Sequence, residues 1–371
     1  MSTNNSDGFL STPEQIHVYQ CFCERQIIAA ILGVTAITGV FGNTLILLSV
    51  ALSRKLRTTT NVFVVNLGIA DLLTCLVLPL NIVAILSDDG YILPDHVCIF
   101  NAIMTIICIG ASVNSLTCIA TNRLLLITKS RAVYQKVYTQ IHIVLILTLV
   151  WTFPAIIALI PVVSSFAQLG YDERYSTCLW ISTAGDSDSY MYSILVALCF
   201  YPVQLTITFY SYTMVFLHVR RSSRALADSS TIPTISNLTS RTPSTDVSCK
   251  ISTFNNQQNA RGTGSSSGSN SSCVVVNSKM SPRKVAVTKN LFYVLCTYIL
   301  CLTPYTLCII ISNTEELVPY VAAILCLNSC LNPIIYATKH PDFKKTFRGI
   351  LCCRVADIPD PIAAVRSIHS G

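Results

Sequence analysis

Charge is scarce in this sequence. Only 12% of the 371 residues are Asp, Glu, Lys or Arg, while 52% are hydrophobic; an ordinary soluble domain is roughly a quarter charged. A soluble chain of this length would bury a large core and still need a charged coat. This one lacks the charge to cover itself, so its apolar surface must face lipid. Other absences narrow the class. Met1–Gln20 has no apolar core and no small-residue cleavage site, so no cleavable signal is expected and the first span must direct insertion. No inverted repeat appears, and Asp71 is the only acidic residue deep in an apolar run, which argues against a transporter or channel. No metal-ligand cluster and no nucleophile–base pair is present, which argues against an enzyme. His142 and His218 read as interfacial residues near inner helix ends.

What is abundant is apolar runs of membrane-crossing length. Seven stand near Ile27–Leu52, Val62–Leu86, Ile99–Ile127, Ile141–Val163, Met191–Val219, Val285–Ile311 and Leu317–Ala337. About twenty residues cross roughly 30 Å of hydrocarbon as a helix. In lipid every backbone N–H and C=O needs an internal partner, so unbroken runs of this length must be helical. Transmembrane strands would be half as long and alternate in polarity. The expected fold is an all-α bundle of seven transmembrane helices with a short amphipathic eighth helix.

Loop charge orients the bundle. The N-terminal segment and the loops 87–98, 164–190 and 312–316 hold two basic residues, Arg25 and Arg174, and twelve acidic ones. The other 23 Lys and Arg lie on the opposite side, with five acidic residues. The net charge of +7 is thus a basic inner face set against an acidic outer one, which puts the N-terminus outside. Clusters such as Arg54, Lys55 and Arg57 beside helix ends suit anionic membrane lipid and a cytoplasmic partner rather than nucleic acid.

The expected organisation is an extracellular N-terminus (1–26), helices one to five (27–221), a disordered cytoplasmic third loop (222–281), helices six and seven (282–338), and an amphipathic helix with a tail (339–371). The third loop is rich in Ser, Thr, Asn and Gly and cannot bury enough apolar surface to fold. Its Ser and Thr admit regulatory phosphorylation, and a plain solvated linker explains them equally well. Most of the 17 cysteines lie in spans, where Cys acts as a small apolar residue. Cys21, Cys23, Cys98 and Cys178 sit on the oxidising side, and four cysteines permit three pairings. A Cys98–Cys178 bridge would pin the longest outer loop across the bundle mouth. Cys352 and Cys353 follow a basic amphipathic stretch and suit either palmitoylation or ordinary cytosolic thiols. Asn4 heads the one outer glycosylation sequon; those at Asn237 and Asn270 lie in the inner loop.

Polar residues inside spans are costly and therefore informative. Asp71 costs roughly 3 kcal/mol on insertion scales. Asn328 and Asn332, four apart on one helical face of the seventh span, could meet it, and Ser112 could complete a small polar cavity for a cation. Polar glue between helices is the plainer alternative. Arg123 follows Cys98 by 25 residues, about 37 Å of helix, which puts it at the inner surface. Pro79, Pro154, Pro161, Pro202, Pro304 and Pro333 interrupt the spans as candidate hinges.

These landmarks together resemble the rhodopsin class of G-protein-coupled receptors. The matching residues run in order: Gly42 and Asn43, Leu67 and Asp71, Cys98 and Arg123, Trp151, Pro202, Cys301 and Pro304, then Asn332-Pro333-Ile334-Ile335-Tyr336, and Phe343. Within the class, Lys55–Thr58 and Thr121–Thr128 are similar to melatonin-receptor-like and Moody-like orphan receptors. Cys326 stands where an opsin would carry its retinal-binding lysine.

The resemblance implies a plasma-membrane receptor coupled to a heterotrimeric G protein, with arrestin and a receptor kinase as further partners, no catalytic activity and no cofactor beyond an allosteric sodium ion. Asp71, Ser112, Asn328 and Asn332 would form the sodium site, and Cys98–Cys178 the outer disulfide. Arg123, Tyr210 and Tyr336 would form the cytoplasmic switch. The ligand pocket would be lined by Thr105, Ile106, Ile109, Ile194, Leu198, Leu302, Tyr305 and Ala322. Amine receptors of the class carry an aspartate where Thr105 stands, because a buried ammonium needs a carboxylate; the implied ligand is lipid-like, weakly polar or a peptide. Three departures stand out. Asn122 replaces the acidic residue before Arg123, Leu302 replaces a tryptophan, and Lys284 replaces an acidic partner for Arg123. The expected consequence is signalling without ligand.

Overall fold

A computed structural model describes residues 18–87, 90–164, 166–181, 187–230, 282–311, 314–354 and 357–363, with the side chains of 223, 225–230 and 282–292 excepted. Asn4, most of the third cytoplasmic loop with Asn237 and Asn270, and the side chain of Lys284 lie outside the described residues. The helices are α1 (Phe22–Leu52), α2 (Thr59–Leu86), α3 (Asp95–Thr128), α4 (Arg131–Val137), α5 (Gln140–Val163), α6 (Ser187–Phe200), α7 (Pro202–Ser230), α8 (Pro282–Ile310), α9 (Val318–Lys339) and α10 (Pro341–Leu351). Among the described residues, seven helical segments are long and apolar enough to cross a membrane; α6 and α7 together make the fifth. Up to Val219 and from Pro282 onward these segments belong to one compact unit.

Local chemistry explains the helix starts. Thr58 accepts a hydrogen bond from the Asn61 N–H, Ser130 from Val133 and Thr139 from His142, each filling a donor left over at a helix start. Lipid explains the outer surface: Ile141, Val144, Leu145, Leu149, Phe153, Ile156 and Leu159 are all exposed along α5. Gly42 lets α1 meet α9, since a Cβ there would lie 2.6 Å from Pro333 Cβ. The core of the inner half gathers Ile46, Leu67, Leu116, Tyr298, Tyr336 and Phe343. That of the outer half gathers Ile28, Leu32, Leu78, Ile85 and Ala323.

Four features depart from a bare seven-helix reading. The second cytoplasmic loop contains α4. The second outer loop contains an antiparallel hairpin, β1 (Leu169–Asp172) and β2 (Thr177–Trp180), with Tyr171 opposite Cys178. The fifth span is interrupted by one turn residue, Tyr201, before Pro202 opens α7. After α10 the chain reverses through Cys353 at φ 52° and runs back to the foot of α1. There Pro361 bridges Ser53, the Arg54 N–H donates to Asp360 O at 2.9 Å, and the Ile362 N–H donates to Leu52 O at 3.1 Å. Ile358 is buried against Gly349, whose missing side chain makes room for it.

Candidate functional site

Midway along α2, Asp71 is fully buried and both its oxygens accept hydrogen bonds. Ser112 Oγ of α3 donates to Oδ1 at 2.7 Å, and Asn332 Nδ2 of α9 donates to Oδ2 at 2.8 Å. Asp71, Ser112 and Asn332 are thus joined, and Asn328 stands one turn before Asn332, whose Nδ2 also donates to the Asn328 carbonyl at 3.3 Å. Two side-chain oxygens in the group, Asn328 Oδ1 and Asn332 Oδ1, are buried without a partner. An oxygen-only set with a carboxylate and two orphaned amide oxygens has the donor chemistry that a hard cation such as sodium takes. Asn43 braces the seventh span alongside, donating to Ser329 O at 2.9 Å. Trp151 Nε1 donates to Asn66 Oδ1 at 2.9 Å, and Asn66 donates to Ser115 at 2.7 Å, tying α5, α2 and α3.

Toward the outer face lies a cavity of about 620 Å³. Thr105, Ile106 and Ile109 of α3, Tyr305 of α8 and Ala322 of α9 line it as expected. The contribution of the fifth span differs from expectation: Ser189, Tyr190, Ser193, Val196 and Phe200 face the cavity, while Ile194 and Leu198 do not, and Leu198 is 52% exposed on the outer surface of the bundle. Leu302 is also absent from the wall; it is buried one level lower, in the inner core with Tyr298 and Cys301. The Thr105 hydroxyl is buried and has no partner. Arg174 and Glu315 are the charged residues on the wall, and they form an ion pair with each other.

The mouth of this cavity is tied down. The Cys98–Cys178 disulfide joins the start of α3 to β2, and a second disulfide joins Cys21 to Cys23. The chain before α1 lies along the hairpin turn, with the Val18 N–H donating to Arg174 O at 3.3 Å and Tyr19 OH donating to Tyr175 O at 3.0 Å. Arg25 is buried although it opens a membrane span. Its Nε donates to Ile85 O at 2.6 Å and an Nη to Ser87 O, so it closes two carbonyls at the end of α2. The first helix starts at Phe22, five residues before the apolar run.

At the cytoplasmic end the residue before Arg123 is engaged elsewhere. Asn122 is buried, accepts from Thr60 Oγ1 at 2.7 Å and donates to the Tyr134 hydroxyl of α4 at 3.0 Å. Among the described residues Arg123 makes no ion pair, and its Nε is buried without a partner. Its electrostatic neighbours are Tyr336, Tyr212 and Tyr134. Tyr210, expected at the switch, points away: it is 58% exposed, whereas Tyr212 is 8% exposed and faces Arg123 and Tyr336. Down the fifth span the buried positions Phe200, Gln204, Thr208 and Tyr212 recur every four residues through the turn at Tyr201, and Ile194, Leu198 and Tyr210 fall off that line. Cys352 and Cys353 are both exposed at the reversal after α10.

A profile described as "7 transmembrane receptor (rhodopsin family)" matches residues 42–336. The alpha-1A adrenergic receptor of Mus musculus is 31% identical over 362 residues, 95% of this chain and 72% of that protein. The human melatonin receptor type 1B is 26% identical over 337 residues, 87% of this chain and 78% of that one. The crystal structure of squid rhodopsin superposes with a TM-score of 0.69 at 15% identity, covering 92% of this chain and 90% of that one. The profile spans most of the chain, and the adrenergic similarity spans nearly all of it: this protein belongs to the rhodopsin family of seven-transmembrane receptors.

Proposed function

We propose that this receptor works at the plasma membrane with its N-terminus outside, coupling a compact, uncharged or weakly polar extracellular ligand to heterotrimeric G proteins. The observation that carries the ligand class is the charge census of the outer cavity. Its charged wall residues, Arg174 and Glu315, neutralise each other, and Thr105 offers a hydroxyl where a cationic ligand would need a carboxylate. Burying an unpaired ammonium against such a wall is strongly unfavourable. The relatives include receptors named for adrenergic and for melatonin ligands; the neutral wall favours a ligand unlike a cationic amine. The N-terminal segment and hairpin over the mouth favour a small molecule over a peptide.

Transduction would run to Arg123 and Tyr336, with Tyr212 in the role expected of Tyr210. A sodium ion held by Asp71, Ser112, Asn328 and Asn332 would supply a positive charge that favours the packed arrangement of α2, α3 and α9. A second-messenger screen against a broad ligand library tests the reading. Potent activation by a simple monoamine that survives Thr105→Ala would refute the neutral pocket. Orientation is tested separately by glycan mapping: Asn4 is the site expected to be modified, and glycan on Asn237 or Asn270 would overturn it.

A further inference from the structure

The two disulfides of the outer face differ in kind. Cys98 and Cys178 are 0% and 1% exposed, and 80 residues separate them. Cys21 and Cys23 are both exposed, and their separation is 2. A bridge restrains the unfolded chain more as the loop it closes lengthens, so the short one contributes far less to the stability of the fold. Its effect is local. It ties Cys21, an extended residue at φ −149° and ψ 158°, to the first turn of α1, and so fixes the direction in which the preceding chain leaves the helix.

That direction lays residues 18–21 along the hairpin turn at the cavity mouth. Tyr19 is part of the cavity wall, and its hydroxyl donates to Tyr175 O at 3.0 Å. The Val18 N–H donates to Arg174 O at 3.3 Å, the Gln20 N–H donates to Glu24 Oε2 at 3.0 Å, and the Arg25 guanidinium lies 5.8 Å from the centre of the Tyr19 ring. Each of these contacts is weak by itself. The same wall includes two thiols, Cys308 of α8 and Cys326 of α9.

We infer that Cys21–Cys23 is a thiol-exchange site that latches this strap, and that an extracellular dithiol opens the cavity mouth through it. One thiolate of the dithiol attacks Cys21 Sγ, and Cys23 leaves and takes up a proton. The second thiol of the reagent then attacks its own bonded sulfur and releases Cys21 as a thiol. The dithiol departs as an intramolecular disulfide, having given the protein two electrons and two protons. Cys98–Cys178 offers such a reagent no line of attack, because both its residues are buried. The inference rests on the cavity being the ligand site; its test needs no ligand, so either can fail alone.

The experiment uses the purified full-length receptor in lipid nanodiscs and reads each cysteine by peptide mass spectrometry. In a dithiothreitol titration, Cys21–Cys23 should open at about a tenfold lower concentration than Cys98–Cys178. Cavity access is then read as the rate at which N-ethylmaleimide alkylates Cys326, after the reductant is removed. Cys75, buried in α2 and absent from the wall, is the reference. Freeing so short a loop multiplies its open conformations about tenfold on the chain-entropy estimate. Cys21→Ser/Cys23→Ser should therefore label Cys326 faster by that factor, with Cys75 unchanged. Should the double variant fail to fold, wild type reduced only at Cys21–Cys23 gives the same reading. Two bridges that open together overturn the exchange site, and an unchanged Cys326 rate overturns the latch. Equal acceleration at Cys75 also overturns it, since the bridge would then be bracing the whole bundle.

Discussion

The two ends of the bundle are closed by different means. At the outer end a disulfide, an ion pair between Arg174 and Glu315, and the buried Arg25 tie loops to helices. Around Arg123 the inner end is closed by neutral hydrogen bonds, Thr60 to Asn122 and Asn122 to Tyr134, with an ion pair, Lys55 to Asp342 at 3.0 Å, farther out between the first cytoplasmic turn and α10. A covalent tie holds until it is reduced, whereas single hydrogen bonds between helices are individually weak. The outer end holds the cavity, and the ties around Arg123 at the inner end are individually weak.

Removing the strongest outer tie should have the largest effect. Cys98→Ala or Cys178→Ala should sharply reduce surface expression, because the bridge closes an 80-residue separation and contributes about 4 kcal/mol on the chain-entropy estimate. Cys75→Ala should stay near wild type in the same surface immunoassay; equal losses from all three would show that the bridge is not the cause.

Next is Gly42→Ala, which crowds Pro333 at the α1–α9 contact and should destabilise by about 2 kcal/mol. Thermal melting of the purified receptor reads this directly, and an unchanged midpoint would mean that α1 can shift freely.

The inner end is probed by Asn122→Asp. A carboxylate can still accept from Thr60 and Tyr134 and would also attract Arg123; a gain of about 1.4 kcal/mol on the resting side lowers ligand-free output roughly tenfold. Second-messenger output at matched surface levels decides the matter. Equal output from both, well above untransfected cells, would clear Asn122, and no output from either would remove the claim of basal activity.

The smallest effect should come from Arg174→Ala or Glu315→Ala. The pair is partly exposed, with side-chain exposures of 32% and 51%, so its loss should cost no more than about 1 kcal/mol. A loss in melting temperature as large as that of the disulfide variants would show the mouth to be held by charge rather than by the covalent tie.

The spans and the depth of Asp71 were legible because lipid imposes a length and a cost that composition reveals. Which side of a span faces the bundle was less legible, since lipid is as apolar as a protein core. Ile194 and Leu198 are as apolar as Val196 and Phe200, so hydrophobicity alone does not separate the cavity wall from the lipid face. The polar register of Gln204, Thr208 and Tyr212 was visible in the sequence and points to the buried face, and it would have chosen Tyr212 over Tyr210. Arg25 was read as a loop charge, because nothing in the chain announces the two α2 carbonyls waiting for it.

The reversal after α10 changes the geography of the inner surface. An eleven-residue helix carries the chain about 16 Å sideways, and the return to Ser53 cancels that excursion. Whatever follows Ala363 therefore starts from the foot of the first span, not from the far tip of α10. A fluorophore or fusion partner attached there would report on α1 and the first cytoplasmic turn.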